Sequence, residues 1–223
     1  MPAEKLPFDL DAVLSGIREA IRDLPRAVLF VLAADGYVSA FEQVVACMIS
    51  VRTLEEVTEP AARALFARAR TPEEMVRLSL AEIDALIGRS TFHEAKSAQI
   101  QAIARDALER HGGVVPCDEA VLRSYRGVGP KCANLVLTIA CGEARIGVDT
   151  HVHRVVNRWG YVETRSPEAT LAALEARLPR GYWAELNQLL VPFGKHVCTP
   201  RAPRCSTCPV LAYCRQVGVT ESR

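Results

Sequence analysis

Four cysteines near the end of the chain constrain its folding more strongly than any other feature. Cys198, Cys205, Cys208 and Cys214 have the spacing C-x6-C-x2-C-x5-C. Thiolates at such short intervals make a compact four-ligand set, which suits either a zinc ion or a [4Fe–4S] cluster. The spacing alone does not choose between the two. In either case the bound group fixes a loop that is too short and too polar to fold by itself.

The other four cysteines are scattered through segments that otherwise have a helical pattern. They are Cys47, Cys117, Cys132 and Cys141. An isolated cysteine in a helix behaves as a small buried hydrophobe, so we expect all four in the core. Eight cysteines in a chain without a secretory pattern favour ligand chemistry over disulfides, because a reducing compartment keeps thiols free.

Length and composition indicate a soluble protein with a substantial core. The chain has 223 residues, of which 49% are hydrophobic, and its longest apolar stretch, residues 27–34, is too short to cross a membrane. We therefore expect an intracellular protein, located in the cytoplasm and associated with the nucleoid if its source is bacterial.

Helical periodicity runs through nearly the whole sequence. Ser39 and Glu42 form a capping box, and the apolar residues that follow recur at helical spacing on one face. The same signals recur at Thr71 with Pro72 and Glu74, at Ser79 with Glu82, and at Ser166 with Pro167. No alternating strand pattern intervenes. The sequence predicts an all-α protein of about ten short helices.

Residues 118–141 predict two helices joined by a tight turn. Asp118 caps a short helix that continues to Ser124, the run Gly127-Val128-Gly129 forces the turn, and Pro130 begins the second helix. Glycines let the backbone approach a partner closely, and the unpaired N–H groups at the start of the second helix suit a phosphate. The alternative is an ordinary turn between two packed helices.

Lys131 and Asp149 are the two types of side chain that imine chemistry uses, an amine nucleophile and a carboxylate. Lys131 lies in the first turn of the second helix, where a cation opposes the helix dipole, so helix stability does not explain it. Asp149 precedes the next helix, where its structural role is an N-cap worth ~1 kcal/mol. An amine nucleophile with a carboxylate nearby can form a Schiff base once the amine is neutral.

The runs 127–134, Gly-Val-Gly-Pro-Lys-Cys-Ala-Asn, and 148–155, Val-Asp-Thr-His-Val-His-Arg-Val, resemble the helix-hairpin-helix and the Gly/Pro-Asp loop of the endonuclease III family. The resemblance extends from about Ser39 to the terminal cysteines, and it places the catalytic lysine and aspartate of that family on Lys131 and Asp149. It also favours a [4Fe–4S] cluster over zinc at the four cysteines.

The resemblance implies a two-lobed fold and a DNA repair activity. Residues 38–147 are expected to form a six-helix barrel domain that contains the helix-hairpin-helix, and residues 1–37 with 148–223 an iron–sulfur cluster domain, with the active site in the cleft between the lobes. The implied enzyme is a bifunctional DNA glycosylase and AP lyase. It flips an oxidised pyrimidine out of double-stranded DNA, attacks C1′ through Lys131 and cuts the strand by β-elimination. Monomeric action is expected from the family.

Two positions depart from the pattern of the family. Arg52 occupies the position at which members of the family have a glutamine that fills the gap left by the flipped base. Arginine cannot accept a hydrogen bond, so the preference of this chain for the base opposite the lesion does not follow from the family. Phe92 lies in the place of a more apolar wedge loop and can either stack in the strand or belong to the core. His151 is a candidate DNA contact beside Asp149, although packing between helices explains a histidine there equally well.

Four alternatives remain at this point. An adenine-mismatch glycosylase shares the fold but lacks the lysine at the hairpin. A damage-binding paralogue of low or no activity and a glycosylase for another lesion class are both compatible with Arg52 and with the altered wedge loop. A zinc-binding helical protein unrelated to DNA is the fourth. Charge does not decide between them, since residues 1–110 carry 13 Lys and Arg against 17 Asp and Glu, whereas residues 111–223 carry 14 against 9.

Overall fold

A computed structural model describes residues 5–223, and within that range the chain forms helices and turns but no strand. The predicted all-α fold is confirmed. Twelve α-helices are present in the described residues, together with 3-10 turns at Arg180–Tyr182 and Cys205–Thr207. The helices are α1 Leu10–Ala20, α2 Val28–Ala34, α3 Ala40–Ser50, α4 Glu55–Phe66, α5 Pro72–Met75, α6 Leu80–Ile87, α7 His93–His111, α8 Glu119–Ser124, α9 Pro130–Cys141, α10 Thr150–Trp159, α11 Pro167–Arg177 and α12 Trp183–His196.

Side-chain caps begin the helices at the positions that the sequence predicts. Ser39, Thr71 and Ser79 each cap a helix in a complete capping box, with a glutamate three residues later that closes the reciprocal hydrogen bond. Ser166 caps α11 through a hydrogen bond from the backbone N–H of Ala169. Two helices are short, since α5 has four residues and α8 has six, and counting them brings the total above the predicted ten.

Residues Val28–Arg145 form one compact unit with its own hydrophobic core. Helix α3 lies at its centre, because all residues from Phe41 to Ile49 are buried. This helix packs against α4, α7 and α9. A helix that is buried on every side is enclosed by its neighbours, and α3 therefore fixes the positions of the loops and helices that surround it.

Residues 5–27 and Ile146–Arg223 form a second compact unit. Its core combines Val13, Leu14 and Ile17 of α1 with apolar residues of α10 and α12. Helix α12 packs against both α1 and α10. The segment that carries the four terminal cysteines follows α12 and belongs to this unit.

The prediction that four scattered cysteines are buried is half right. Cys47 and Cys132 lie side by side in the core of the Val28–Arg145 unit, with relative exposures of 0% and 3%. The prediction is wrong for Cys117, which is exposed, and for Cys141, which is partly exposed. These two form a disulfide with Cα atoms 5.9 Å apart, so the expectation that the thiols of this chain stay free is wrong for this pair. Residues 118–141 fold back on themselves, and this return brings both ends of the segment together.

In residues 5–223 we find no helix with both the length and the apolar character required to cross a membrane.

Candidate functional site

The predicted helix, turn and helix are present in residues 118–141. Asp118 caps α8, and its carboxylate accepts a hydrogen bond from the backbone N–H of Val121 at 3.0 Å. The turn closes with a 3.0 Å bond from the N–H of Val128 to the carbonyl of Tyr125. Gly127 has a φ of +93°, in the left-handed region that favours glycine.

The start of α9 has the properties of a phosphate site. Gly129 occupies the N-cap position, where no side chain caps the helix. A Cβ added to Gly129 would meet no atom within 4 Å, so a partner can approach the backbone closely there. The N–H groups of the first turn, together with the positive end of the helix dipole, favour an anion at this point.

Lys131 is the second residue of α9, directly after Pro130. Its side chain is partly buried, and its Nζ lies 3.9 Å from Sγ of the fully buried Cys47 on α3. The amine therefore lies at the edge of the apolar contact between α3 and α9, beside the glycine turn. An amine with one apolar side and one accessible side can reach an electrophile that the turn brings to it.

Asp149 is the N-cap of α10, as the sequence predicts. Its Oδ1 accepts hydrogen bonds from the backbone N–H groups of His151 at 2.9 Å and of Val152 at 2.8 Å. Both bonds use the same oxygen, so the cap does not require Oδ2. The aspartate combines a fixed orientation with partial exposure, which a charge-stabilising carboxylate needs.

His151 packs against α12. Its Nδ1 lies 3.1 Å from Nη2 of Arg154, and its Cβ and Nδ1 lie 2.9 Å from the position of a Cβ added to Gly194. This close contact favours the helix-packing explanation of the histidine. A role of His151 in DNA binding stays a prediction.

Arg52 and Phe92 are neighbours in the structure, although 40 positions separate them in the sequence. The guanidinium carbon of Arg52 lies 5.9 Å from the centroid of the Phe92 ring. Phe92 is 58% exposed, which rules out the core as its location. Two further exposed apolar side chains, Val51 and Leu54, lie in the same loop as Arg52. The two loops expose both a cation and an aromatic ring.

Both residues have unusual backbone conformations. Arg52 has a φ of 53°, and Phe92 has φ 59° and ψ 33°, in the left-handed region that residues other than glycine rarely adopt. Such conformations cost about 1–3 kcal/mol each and cluster at functional sites.

Lys96 supports these two loops, and the sequence analysis missed it. The side chain on α7 is buried, and its Nζ donates to the carbonyls of Ile49 at 2.7 Å and Val51 at 2.9 Å and to Oγ1 of Thr53 at 3.0 Å. Burial lowers the pKa of Lys96 to about 8. The signal that could have revealed it is a lysine on the face of α7 that carries the buried Ile100 and Ile103.

The four terminal cysteines are free and partly buried, and all four line one apolar cavity together with Trp159 and Phe193. Burial raises the pKa of Cys208 to about 11 and also raises that of Cys214, and the neighbouring cysteines raise both further. Within residues 5–223 no three His, Cys, Asp or Glu side chains are placed to hold a single metal ion.

Arg158, which the sequence analysis did not single out, binds the start of the cysteine segment. Its buried guanidinium donates to Sγ of Cys198 at 3.4 Å, to the carbonyl of Thr199 at 2.7 Å and to the carbonyl of Pro200 at 2.8 Å. Thus α10, the helix that Asp149 caps, also orients the first cysteine.

The sequence-predicted residues fall into two groups. Lys131, the hairpin, Arg52 and Phe92 belong to the Val28–Arg145 unit, whereas Asp149, His151 and the cysteines belong to the other unit.

Comparison with known proteins identifies the family. Residues 45–180 match the family described as HhH-GPD superfamily base excision DNA repair protein. The chain is 38% identical to endonuclease III of Thermotoga maritima over 174 residues, which cover 78% of this chain and 82% of that protein. It is also 38% identical to endonuclease III-like protein 1 of Bos taurus, and this match covers 82% of the chain but 61% of the bovine protein.

Solved structures agree with this assignment. The structure of a trapped endonuclease III–DNA covalent intermediate, an estranged-adenine complex, superposes with a TM-score of 0.79 at 26% identity and covers 93% of this chain and 94% of that one. A thermostable thymine-DNA glycosylase has the same fold, with a TM-score of 0.79 at 21% identity over 92% of this chain and 94% of that one. The chain therefore belongs to the HhH-GPD superfamily of base excision DNA repair proteins, and within it to the endonuclease III family of DNA glycosylases with AP lyase activity.

Proposed function

We propose that this chain excises oxidised pyrimidines from double-stranded DNA and cuts the strand at the resulting site, with Lys131 as the nucleophile. The observation that carries this proposal is the position of Lys131. It is the second residue of the helix that follows the glycine turn, and it is partly buried against Cys47. The chain is similar to an endonuclease III captured as a covalent DNA intermediate.

The proposed reaction proceeds through an imine. The neutral amine of Lys131 attacks C1′ of the flipped nucleotide, the glycosidic bond breaks, and the base leaves with the bonding electrons and takes up a proton. The sugar ring opens to a Schiff base between Nζ and C1′. Loss of a proton from C2′ then expels the 3′ phosphate by β-elimination. Water finally hydrolyses the imine and restores the lysine.

Asp149 has the second catalytic role in this proposal. Its carboxylate stabilises the positive charge that develops on the sugar as the base leaves and assists proton transfer. The cap bonds from His151 and Val152 hold it in one orientation, so no side-chain freedom is lost when the transition state forms.

The hairpin binds the DNA backbone. The N–H groups beside Gly127, Val128 and Gly129 bind phosphate oxygens without reading the base sequence, as expected of an enzyme that must scan any DNA. Arg52 fills the gap left by the flipped nucleotide, and the exposed ring of Phe92 stacks in the strand as the wedge.

The four terminal cysteines hold a [4Fe–4S] cluster in this proposal. Four free thiols that line one apolar cavity supply the donors that such a cluster requires, and their spacing resembles the cluster loop of the endonuclease III family. The cluster supplies a rigid link between the ends of the segment. Measurement of iron and acid-labile sulfide in the purified protein tests this assignment, and zinc without sulfide would refute it.

The proposed enzyme acts as a monomer in the compartment that contains the DNA, which is the cytoplasm and its nucleoid if the source is bacterial. Size-exclusion chromatography with light scattering, with and without a DNA duplex, tests the stoichiometry.

A damage-binding protein of low activity is the second candidate, and Arg52 is the observation that favours it. An arginine that stacks on Phe92 can bind the base opposite the lesion. Such binding does not by itself flip the damaged nucleotide into the active site. This protein would bind lesion duplexes and form little covalent adduct.

Borohydride trapping separates the two candidates. Duplexes that carry an abasic site or an oxidised pyrimidine are incubated with the wild type, with Lys131→Ala and with Lys131→Arg, which keeps the charge but lacks a nucleophilic amine. We expect an adduct for the wild type alone, with duplex binding retained by Lys131→Arg. Duplex binding without an adduct on any substrate would favour the damage-binding candidate.

A further inference from the structure

We propose that Lys96 is a positioning residue that joins the Arg52 loop, residues 51–54, to the Phe92 loop, residues 88–92, so that the two DNA-probing side chains act as one preassembled unit. The proposal rests on the proposed function of Arg52 and Phe92. The Arg52 loop connects α3 to α4, and the Phe92 loop connects α6 to α7. No helix runs from one loop to the other, so side-chain contacts must join them.

The ammonium group of Lys96 has as many N–H donors as there are acceptors around it. A protonated lysine has three N–H donors, and three acceptors lie within 3.0 Å of Nζ. Two of these are the carbonyls of Ile49 and Val51 at the end of α3, where a cation also complements the helix dipole. The burial of a charge is unfavourable unless it is fully bonded, and this one has an acceptor for every donor.

Thr53 extends the linkage to the second loop. Its Oγ1 accepts from Lys96 at 3.0 Å and from the backbone N–H of Thr91 at 3.1 Å, and it lies 3.3 Å from the carbonyl of Val51. One hydroxyl therefore connects the lysine, the Arg52 loop and the Phe92 loop.

The hydrogen bonds of Lys96 and Thr53 hold the residue directly before Arg52 and the residue directly before Phe92. Val51 precedes Arg52, and Thr91 precedes Phe92. Both Arg52 and Phe92 have a positive φ that a residue other than glycine adopts only when its surroundings compel it. Lys96 supplies that constraint at Arg52, because it holds the carbonyl of the peptide group that directly precedes Arg52. Thr53 supplies it at Phe92 less directly, because it holds the backbone N–H of Thr91, one residue before Phe92.

Preassembly has a kinetic consequence. Two loops that already present their side chains together need no ordering when DNA binds, and small displacements of such groups can cost up to about 100-fold in rate. A lysine that never touches DNA thereby determines how well Arg52 and Phe92 probe it.

Hydrogen exchange of the free protein tests the linkage without any substrate. Lys96→Met should accelerate exchange in residues 51–54 and 88–92. The control is Gln101→Met on the same helix, which removes a buried 2.8 Å bond to the carbonyl of Leu78 and should leave both loops unchanged. Thr53→Val, a milder variant, should accelerate exchange in residues 88–92. The proposal would be overturned if Lys96→Met left exchange unaltered in both loops, or if Thr53→Val left it unaltered in both loops.

A double-mutant cycle tests whether Lys96 acts through Arg52. We expect Lys96→Met to lower kcat/KM on lesion duplexes about ten- to 100-fold in the wild type and to have little further effect beside Arg52→Ala. Equal effects in both backgrounds would show a merely structural role and refute the proposal. Failure of the wild type to form any adduct refutes the proposed function instead, and the exchange experiment still decides whether the linkage exists.

Discussion

Single residues in this protein combine structural and chemical roles that substitution can separate. Asp149 caps α10 through one carboxylate oxygen and, in the proposed reaction, stabilises charge. An asparagine caps a helix about as well as an aspartate does, because the cap needs an acceptor and not a charge. The two lysines differ in the same way. The amine of Lys96 holds loops in place, whereas the amine of Lys131 is the nucleophile of the proposed reaction.

Asp149→Asn should therefore leave the fold intact and remove most of the activity. We expect the thermal midpoint to stay within a few degrees of the wild type, because the bonds from His151 and Val152 can persist. We expect kcat on an oxidised pyrimidine duplex to fall about 100- to 1000-fold, the typical loss when one charge-stabilising group is removed. Single-turnover kinetics measures the fall.

Asp149→Ala is the companion variant, since it also removes the cap and should lower the free energy of unfolding by about 1 kcal/mol. An Asp149→Asn enzyme with wild-type kcat would show that the aspartate is a cap and nothing more.

Arg52 should determine the preferred base opposite the lesion. Arginine only donates hydrogen bonds and pairs best with the acceptors of guanine, whereas glutamine both donates and accepts and so suits adenine. We expect Arg52→Gln to shift the ratio of kcat/KM values toward lesions opposite adenine by about tenfold. The comparison uses two duplexes that differ only in the opposite base. An unchanged ratio would place Arg52 outside the gap.

At the scale of elements, the Cys117–Cys141 disulfide encloses the whole helix-hairpin-helix. The bridge closes a loop with a sequence separation of 24 residues, and cross-links of that length stabilise by about 3 kcal/mol in the chain-entropy account. We expect reduction to lower the free energy of unfolding of the wild type by that amount, measured by denaturant titration with circular dichroism.

Cys117→Ser provides the control for this prediction. Without reductant its stability should fall below that of the wild type by about the 3 kcal/mol of the missing bridge, and any response that it still shows to the reductant belongs to the remaining thiols, including the Cys47–Cys132 pair. A response of equal size in the variant would locate the effect at another thiol.

The sequence predicted elements better than side-chain partners. The three capping boxes and the hairpin could be predicted because each depends on neighbours within a few residues. Cys117 and Cys141 could not be paired, because their contact depends on how α8 and α9 fold back. Lys96 was missed for the same reason, since its acceptors lie more than 40 residues away in the chain.

At the scale of the whole molecule, two units have separate cores, and the cysteine segment belongs to one of them. The cysteines contact the core that α1, α10 and α12 build, with Trp159 and Phe193 beside them. Loss of the proposed cluster should therefore weaken one unit selectively, because the core of the other contains none of the four terminal cysteines.

Cys208→Ser tests this selectivity. We expect the visible absorption of the cluster to disappear and amide protection to fall in Ile146–Arg223, while Val28–Arg145 keeps the protection of the wild type. Hydrogen exchange with peptide-level resolution measures both regions in one experiment. Equal loss in both units would contradict the prediction.

The discontinuous unit also sets an order of events during synthesis. Residues 5–27 leave the ribosome before Val28–Arg145, but their core partners, which begin at Ile146, are translated only after the whole of Val28–Arg145. The continuous unit can fold while the rest of the chain is still being made. Helix α1 must meanwhile expose Val13, Leu14 and Ile17, so chaperones at the ribosome exit can bind the nascent segment 5–27.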